Sequence, residues 1–283
     1  MLSAENESPV LIHIHIPKCG GTSFRSLLAT QLGPHHLNLY VNDTHFIYAE
    51  SYLAEVVKNP EVRSISSHFI RTFPPRLGDR PVCYVTFLRH PLGQFLSYRN
   101  HMCRDLHSLQ DAALLKCVPA NADRLTSREF ARWILTESPQ NANFRENYTT
   151  NFLARRVFRG APETGPEYRL SRLRLAKDVL REFFFVGITE ELETGVARFV
   201  QIAAERGFPL HPQTVPVENV SRQLTDDVSW INPNDEVGAL LIASMQEDLA
   251  LYSWAKSQFG PGQTGAGVPR PSDERSGKAG VAV

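Results

Sequence analysis

Residues 13 to 24 read HIHIPKCGGTSF: a β-branched run, then Lys18, Cys19, the paired glycines Gly20 and Gly21, and the hydroxyls Thr22 and Ser23. A strand that passes through glycines into a helix offers backbone N–H groups at the positive end of the helix dipole, which is a ready anion site. Glycines let the backbone approach an anion closely, and the two hydroxyls add donors. In the nucleoside-triphosphatase loop GxxxxGK[ST] the lysine follows the glycines and the hydroxyl holds magnesium. Here Lys18 precedes the glycines and that spacing is missing, so magnesium is not implied. The other reading is a glycine-rich turn with Lys18 as an exposed cation.

A second stretch, VTFLRHPLGQFLSYRN over residues 85–100, puts Arg89 at the carboxyl end of an expected strand. Ser97 falls about two turns into the helix that follows. An arginine fork with a hydroxyl suits a terminal phosphate monoester. Either stretch alone is unremarkable; the pair is not.

The elements that must position these residues alternate along the chain. VLIHIHI (10–16) reads as a strand, and TSFRSLLATQL (22–32) as a helix with its apolar face at Phe24, Leu27, Leu28 and Leu32. VRSISSH (62–68), PVCYVTFL (81–88) and EFFFVGI (182–188) are further strands. HPLGQFLSYRNHM starts a helix with Pro91 suited to its first position. The amphipathic EELETGVARFVQIAAERG ends on a glycine stop, and residues 126–181 read as mostly helical. NDEVGALLIASMQEDLALYSWAKSQF (234–259) reads as one long helix opened by an Asn/Asp cap. The expectation is an α/β fold: a P-loop-like, mainly parallel β-sheet flanked by helices on both faces. The domain spans 10–259, after an N-terminal extension at 1–9 and before a tail at 260–283 with too little apolar content to join a core.

Lysine plus arginine equals aspartate plus glutamate at 30 each, so no global field draws nucleic acid, and local basic groups must meet any anion. The start MLSAENESPV lacks a basic and apolar leader pattern, and no run of about 18 apolar residues suggests a span. The four cysteines show no CxxC pair and no metal-ligand spacing. They read as free thiols of a soluble cytoplasmic protein, a Cys103–Cys117 bridge requiring export.

The two basic motifs resemble the signatures of sulfotransferases that use 3′-phosphoadenosine 5′-phosphosulfate (PAPS). PKCGGTSF is similar to the loop that binds the 5′-phosphosulfate, and RHPLGQFLS to the segment whose arginine and serine hold the 3′-phosphate. The form HIPKxGGTS is nearest the carbohydrate branch, the heparan and chondroitin type O-sulfotransferases. Looser echoes are NYTTNFLA, FFFVGITEEL, VENVS and DLALYSWAKSQF. The resemblance implies PAPS as sulfuryl donor, no metal, a carbohydrate or other hydroxyl-bearing acceptor, and donor contacts from Lys18 through Ser23, Arg89 and Ser97. It also explains the lysine's place. Lys18 would meet the oxygen bridging sulfur and the 5′-phosphate, where charge develops as the S–O bond breaks.

His68 closes VRSISSH and so falls at the carboxyl edge of the sheet, with Lys18 and Arg89. The resemblance implies that a histidine in a "GH" segment is the base; His68 matches it, with Ser67 in place of the glycine. An ordinary imidazole, with a pKa of about 6.5, suits that work near neutrality. The other reading of His68 is a strand-end cap. His13 and His15 share a strand face and read as packed core. His35, His36 and His45, in a loop-rich stretch, could contact an acceptor, as could Arg71, Arg99, Arg145, Arg155 and Arg156. Asn219 and Ser221 could approach the cofactor. Two other functions stay open: a P-loop small-molecule kinase, for which no convincing magnesium carboxylate follows a core strand, and a non-catalytic nucleotide-binding relative.

Overall fold

A computed structural model describes residues 8–39, 49–104, 124–137, 146–154, 166–211 and 227–260. Among these residues six strands form the sheet: β1 (Val10–Ile14), β2 (His36–Asn38), β3 (Ser64–Ser67), β4 (Arg76–Leu77), β5 (Arg80–Leu88) and β6 (Phe185–Ile188). The order β2-β3-β1-β5-β6 is parallel throughout, and only the two-residue β4 runs antiparallel, against the start of β5. In register, Ile12 stands opposite Ile65 on one side and Tyr84 on the other. The central strand β1 is buried at all five positions, as a parallel strand covered on both faces must be.

The helices are α1 (Gly21–Leu32), α2 (Glu50–Val57), α3 (Pro91–Arg104), α4 (Ser127–Thr136), α5 (Tyr148–Ala154), α6 (Pro166–Arg181), α7 (Leu192–Glu205), α8 (Glu236–Ser244) and α9 (Gln246–Phe259). Alternation along β1 divides the core between two faces. Val10, Ile12 and Ile14 pack with residues of α2, α6 and α9, while Leu11 packs with α1 and α7. The expected face of α1 is the buried one: Phe24, Leu27, Leu28 and Leu32 all lie in that second layer. Phe24 is its centre, with Phe199 edge-on at 4.9 Å and Phe87 at 5.0 Å between ring centroids. A third cluster joins α3, α4 and α8. The architecture is therefore the expected α/β one. No helix among the described residues is long and apolar enough to cross a membrane.

Two expectations are corrected. Residues 33–38 are not loop: Gly33–His35 form a 3₁₀ turn, and His36 opens the edge strand β2. The run at 234–259 is not one helix. It starts as expected, with Asp235 accepting the N–H groups of Val237 and Gly238, but breaks at Met245 between α8 and α9. The cause is a distant segment. Asn147, with φ 43, donates its N–H to the Ser244 carbonyl at 2.6 Å and accepts from Glu247 and Asp248 N–H at 2.7 and 3.2 Å. Asp248 returns the cap, accepting from Thr149 and Thr150 N–H at the start of α5. Arg172 closes the knot against Glu247 and Glu146. The tail beyond residue 260 and the first seven residues lie outside the described residues.

Replacing Asn147 with Ala should cost about 1–3 kcal/mol, from the lost cap and from alanine's poorer tolerance of the left-handed backbone that asparagine adopts here. Asn147→Gly should cost less, because it relieves the backbone part. Urea denaturation of both variants checks this; equal losses would assign the whole effect to the side chain.

Candidate functional site

The glycine loop leaves the carboxyl end of β1 and turns into α1. Lys18 takes φ 65, and Gly20, the residue that caps α1, takes φ 74 and ψ 2. Gly20 in the left-handed region followed by helical Gly21 directs successive N–H groups into one concavity. No side chain of Gly20 and no acidic residue of the first turn occupies the start of α1, whose first N–H groups have no acceptor within the helix. The carbonyls, by contrast, are tied down. Gln94 Nε2 donates to Pro17 O at 2.8 Å, Arg89 Nη1 to Lys18 O at 3.2 Å, and Thr189 Oγ1 to Cys19 O at 2.9 Å. Three successive carbonyls are thus held by residues that follow β5 or β6.

Within the loop the residues differ in what they offer. Cys19 is buried, its N–H already bonds the Ile16 carbonyl, and burial pushes its thiol up to about 12, so it brings no thiolate. Ser23 is buried and Thr22 half-buried. A Cβ at Gly20 would stand 3.0 Å from the Thr189 methyl, and one at Gly21 would stand 2.1 Å from the His15 ring. The glycines therefore also answer to packing against the neighbours of the loop.

Arg89, directly after β5, reaches the loop, so two stretches read separately in the sequence meet in space. Beside it, Glu190 accepts the His90 N–H at 2.8 Å and the Tyr252 hydroxyl at 3.0 Å, capping the start of α3 with a carboxylate. Burial and that carboxylate hold the Tyr252 phenol protonated, well above its usual range. Ser97 lies half-buried on α3, about two turns beyond Arg89.

His68 follows β3 directly and joins a row of imidazoles beneath α1. His13 stacks on His15 at 5.2 Å, and His15 meets His68 at 4.1 Å, measured between centroids. His13 Nδ1 pairs with Ser66 Oγ at 3.0 Å, and His36 Nδ1 with Ser64 Oγ at 2.6 Å. His68 Nδ1 lies 2.6 Å from the His15 carbonyl, which only accepts, so Nδ1 carries the proton and Nε2 the lone pair. Burial lowers the His68 pKa to about 4; the His15 bond opposes this, while the charges of Arg71, Arg25 and Lys18 reinforce it. His68 is thus a neutral imidazole at pH 7, but a weaker base than its ordinary pKa suggests.

The remaining candidates separate. Arg71 lies over the Phe152 ring at 3.5 Å and donates to the carbonyls of His68 and Ile70. Arg99 is buried and donates to Leu125 O, which makes it a strut rather than a cleft residue. His36 is buried in β2, which removes it as a loop contact for an acceptor; His35, half-buried just before that strand, has its Nδ1 2.9 Å from Glu61 O. His45, Arg145, Arg155, Arg156, Asn219 and Ser221 lie outside the described residues. Sequence reasoning missed Gln94, Thr189 and Glu190, which act across 77, 170 and 100 residues. Arg25 had a signal: it falls one helical turn after Gly21.

No family model matches the chain, and no curated protein matches it.

The buried histidines have a consequence for acid stability. Burial drives His13 and His15 well below the ordinary 6.5 and takes His36 and His68 to about 4. Between pH 6.5 and about 4 the unfolded chain therefore binds more protons than the folded one. Their contribution is complete above pH 6.5 and is lost as pH falls, at up to about 1.4 kcal/mol per pH unit per group. Asp248 works oppositely: burial raises it from 3.8 to about 6, so its ionisation costs stability as pH rises through that window. Four groups outweigh one. Urea midpoints should fall from pH 7 to pH 5 with net proton uptake on unfolding; a flat profile would contradict neutral burial of the row.

Proposed function

We propose that the protein is a sulfotransferase that moves a sulfuryl group from PAPS to a hydroxyl of a carbohydrate-type acceptor. One observation carries this reading. The uncapped start of α1, Lys18, Arg89 and a histidine with its lone pair on Nε2 all gather at the carboxyl ends of β1, β3 and β5. That edge is where α/β sheets take their ligands.

In this proposal the loop N–H groups and Lys18 receive the 5′-phosphosulfate, and Arg89 with Ser97 receives the 3′-phosphate. The acceptor oxygen attacks sulfur as the bond from sulfur to the bridging oxygen breaks, leaving adenosine 3′,5′-bisphosphate. Lys18 meets the charge that grows on that oxygen, and His68 Nε2 takes the acceptor proton. The donor's negative charge opposes the cations that depress His68, so its basicity rises when the site is filled. The kinase alternative needs a carboxylate for magnesium, and Glu190, which follows β6, already has both oxygens engaged. A non-catalytic binder would share the nucleotide affinity without turnover.

Calorimetry should find binding of adenosine 3′,5′-bisphosphate in preference to ATP with magnesium; the reverse preference would remove the proposal. Arg89→Ala should weaken the 3′-phosphorylated nucleotide about tenfold or more beyond its effect on the form lacking that phosphate. Both forms should lose some affinity, because Arg89 also ties the Lys18 carbonyl.

His68→Ala should lower turnover by about 10²–10⁴ with little change in nucleotide affinity, whereas Lys18→Ala should lower both. The acidic limb of kcat/KM reports the free enzyme, so it should fall near pH 4 rather than 6.5. An unchanged acidic limb in an active His68→Ala enzyme would take the base role from His68.

A further inference from the structure

We propose that His15 is a positioning residue whose ring couples the first turn of α1 to the imidazole of His68. The inference rests on the reading that the loop and His68 serve one site, and it adds how the two halves are held in register. The His15 ring is enclosed on three sides. Towards α1 it fills the space that a side chain at position 21 would need: a Cβ there would lie 2.1 Å from His15 Cδ2 and 2.5 Å from Nε2. Towards the sheet edge it meets the His68 ring at 4.1 Å with a tilt of 38°. Along the strand it rests on His13, nearly parallel at 15°, and Phe24 of α1 holds His13 edge-on at 4.8 Å.

The His15 backbone is fixed as firmly as the ring. Its N–H bonds the Ser67 carbonyl at 3.0 Å, and its own carbonyl accepts the His68 Nδ1–H. With 5 % of its surface exposed, the residue leaves the ring little room to swing. Packed interiors yield little and pass displacement on. A shift of Gly21, the residue at which an anion would engage the helix, therefore moves the His15 ring, and the His68 ring is the next body in its path. Glycine at 21 keeps that path unloaded in the resting site.

Nitrogen-resolved NMR of the His68 ring in the full chain, assigned with His68→Gln, tests the coupling. Gly21→Ala should displace the His68 ring resonances with no ligand present, and adding His15→Ser should return them to those of His15→Ser alone. Titration with adenosine 3′,5′-bisphosphate should shift the wild-type His68 resonances. In His15→Ser that shift should shrink markedly while nucleotide affinity stays within about twofold. A passive core role would change stability but would not uncouple this response. His68 resonances unmoved by Gly21→Ala, or an undiminished ligand shift in His15→Ser, would overturn the proposal. If Gly21→Ala does not fold, the His15→Ser and His15→Gln titrations decide. If the nucleotide does not bind the wild type, the sulfotransferase reading falls, and the ligand-free comparison still decides the role of His15.

Discussion

The site depends on three hydrogen bonds that hold the carbonyls of Pro17, Lys18 and Cys19. A short loop with left-handed residues at 18 and 20 has no reason of its own to stay in one shape, and a non-glycine residue at φ 65 adds cost. Gln94, Arg89 and Thr189 supply the reason. Each comes from an element placed by β5 or β6, so the loop inherits its shape from the packing of the parallel sheet. Tying the carbonyls outward fixes the turn from which α1 starts. Gln94 carries the constraint further, because its Oε1 accepts from Thr149 Oγ1 and so reaches the knot of α5 and α9 around Asp248.

The row of imidazoles under α1 runs against ordinary core design. His13 is fully buried, and its Nε2 has no hydrogen-bond partner among the described residues, a polar loss that a leucine would avoid. His15 and His68 repay part of that cost through geometry. A flat ring at 15 fits between a glycine helix turn and a second flat ring, where a branched aliphatic side chain would demand more thickness. The serines of β3 match the histidines of β1 and β2 across the same face, at Ser64 with His36 and Ser66 with His13. The face is thus polar by pairs and still buried.

Much of the architecture was legible because it is local. Alternation in VLIHIHI marks β1, the spacing of Phe24, Leu27, Leu28 and Leu32 marks the buried side of α1, and Asp235 marks the start of α8. The glycine pair was legible too, though its second cause, the His15 ring, was not. What escaped depends on partners far apart in the chain. The break at Met245 is made by Asn147, and β2 is a strand only because β3 lies beside it. The ordinary basicity assigned to His68 failed for the same reason: burial by the surrounding fold leads, and two of the three cations that reinforce it, Arg25 and Lys18, come from the distant glycine loop and α1.

Arg89 shows how two motifs that read as separate become one device. Its Nη1 bonds the Lys18 carbonyl, while Glu190 sits at the neighbouring helix start. A phosphate bound there, on the proposed reading, would have two options. It could draw the guanidinium off the loop, which would release the turn that places Lys18 and weaken both phosphate sites together. Or it could share the fork, taking donors that the single bond to Lys18 does not use. A guanidinium carries five N–H donors in a rigid plane and the loop bond occupies one of them, so sharing satisfies both partners without moving either. On these terms the 3′-phosphate would stiffen the loop that holds the 5′-phosphosulfate, and Arg89 would link recognition of the nucleotide to the position of the lysine that acts on it.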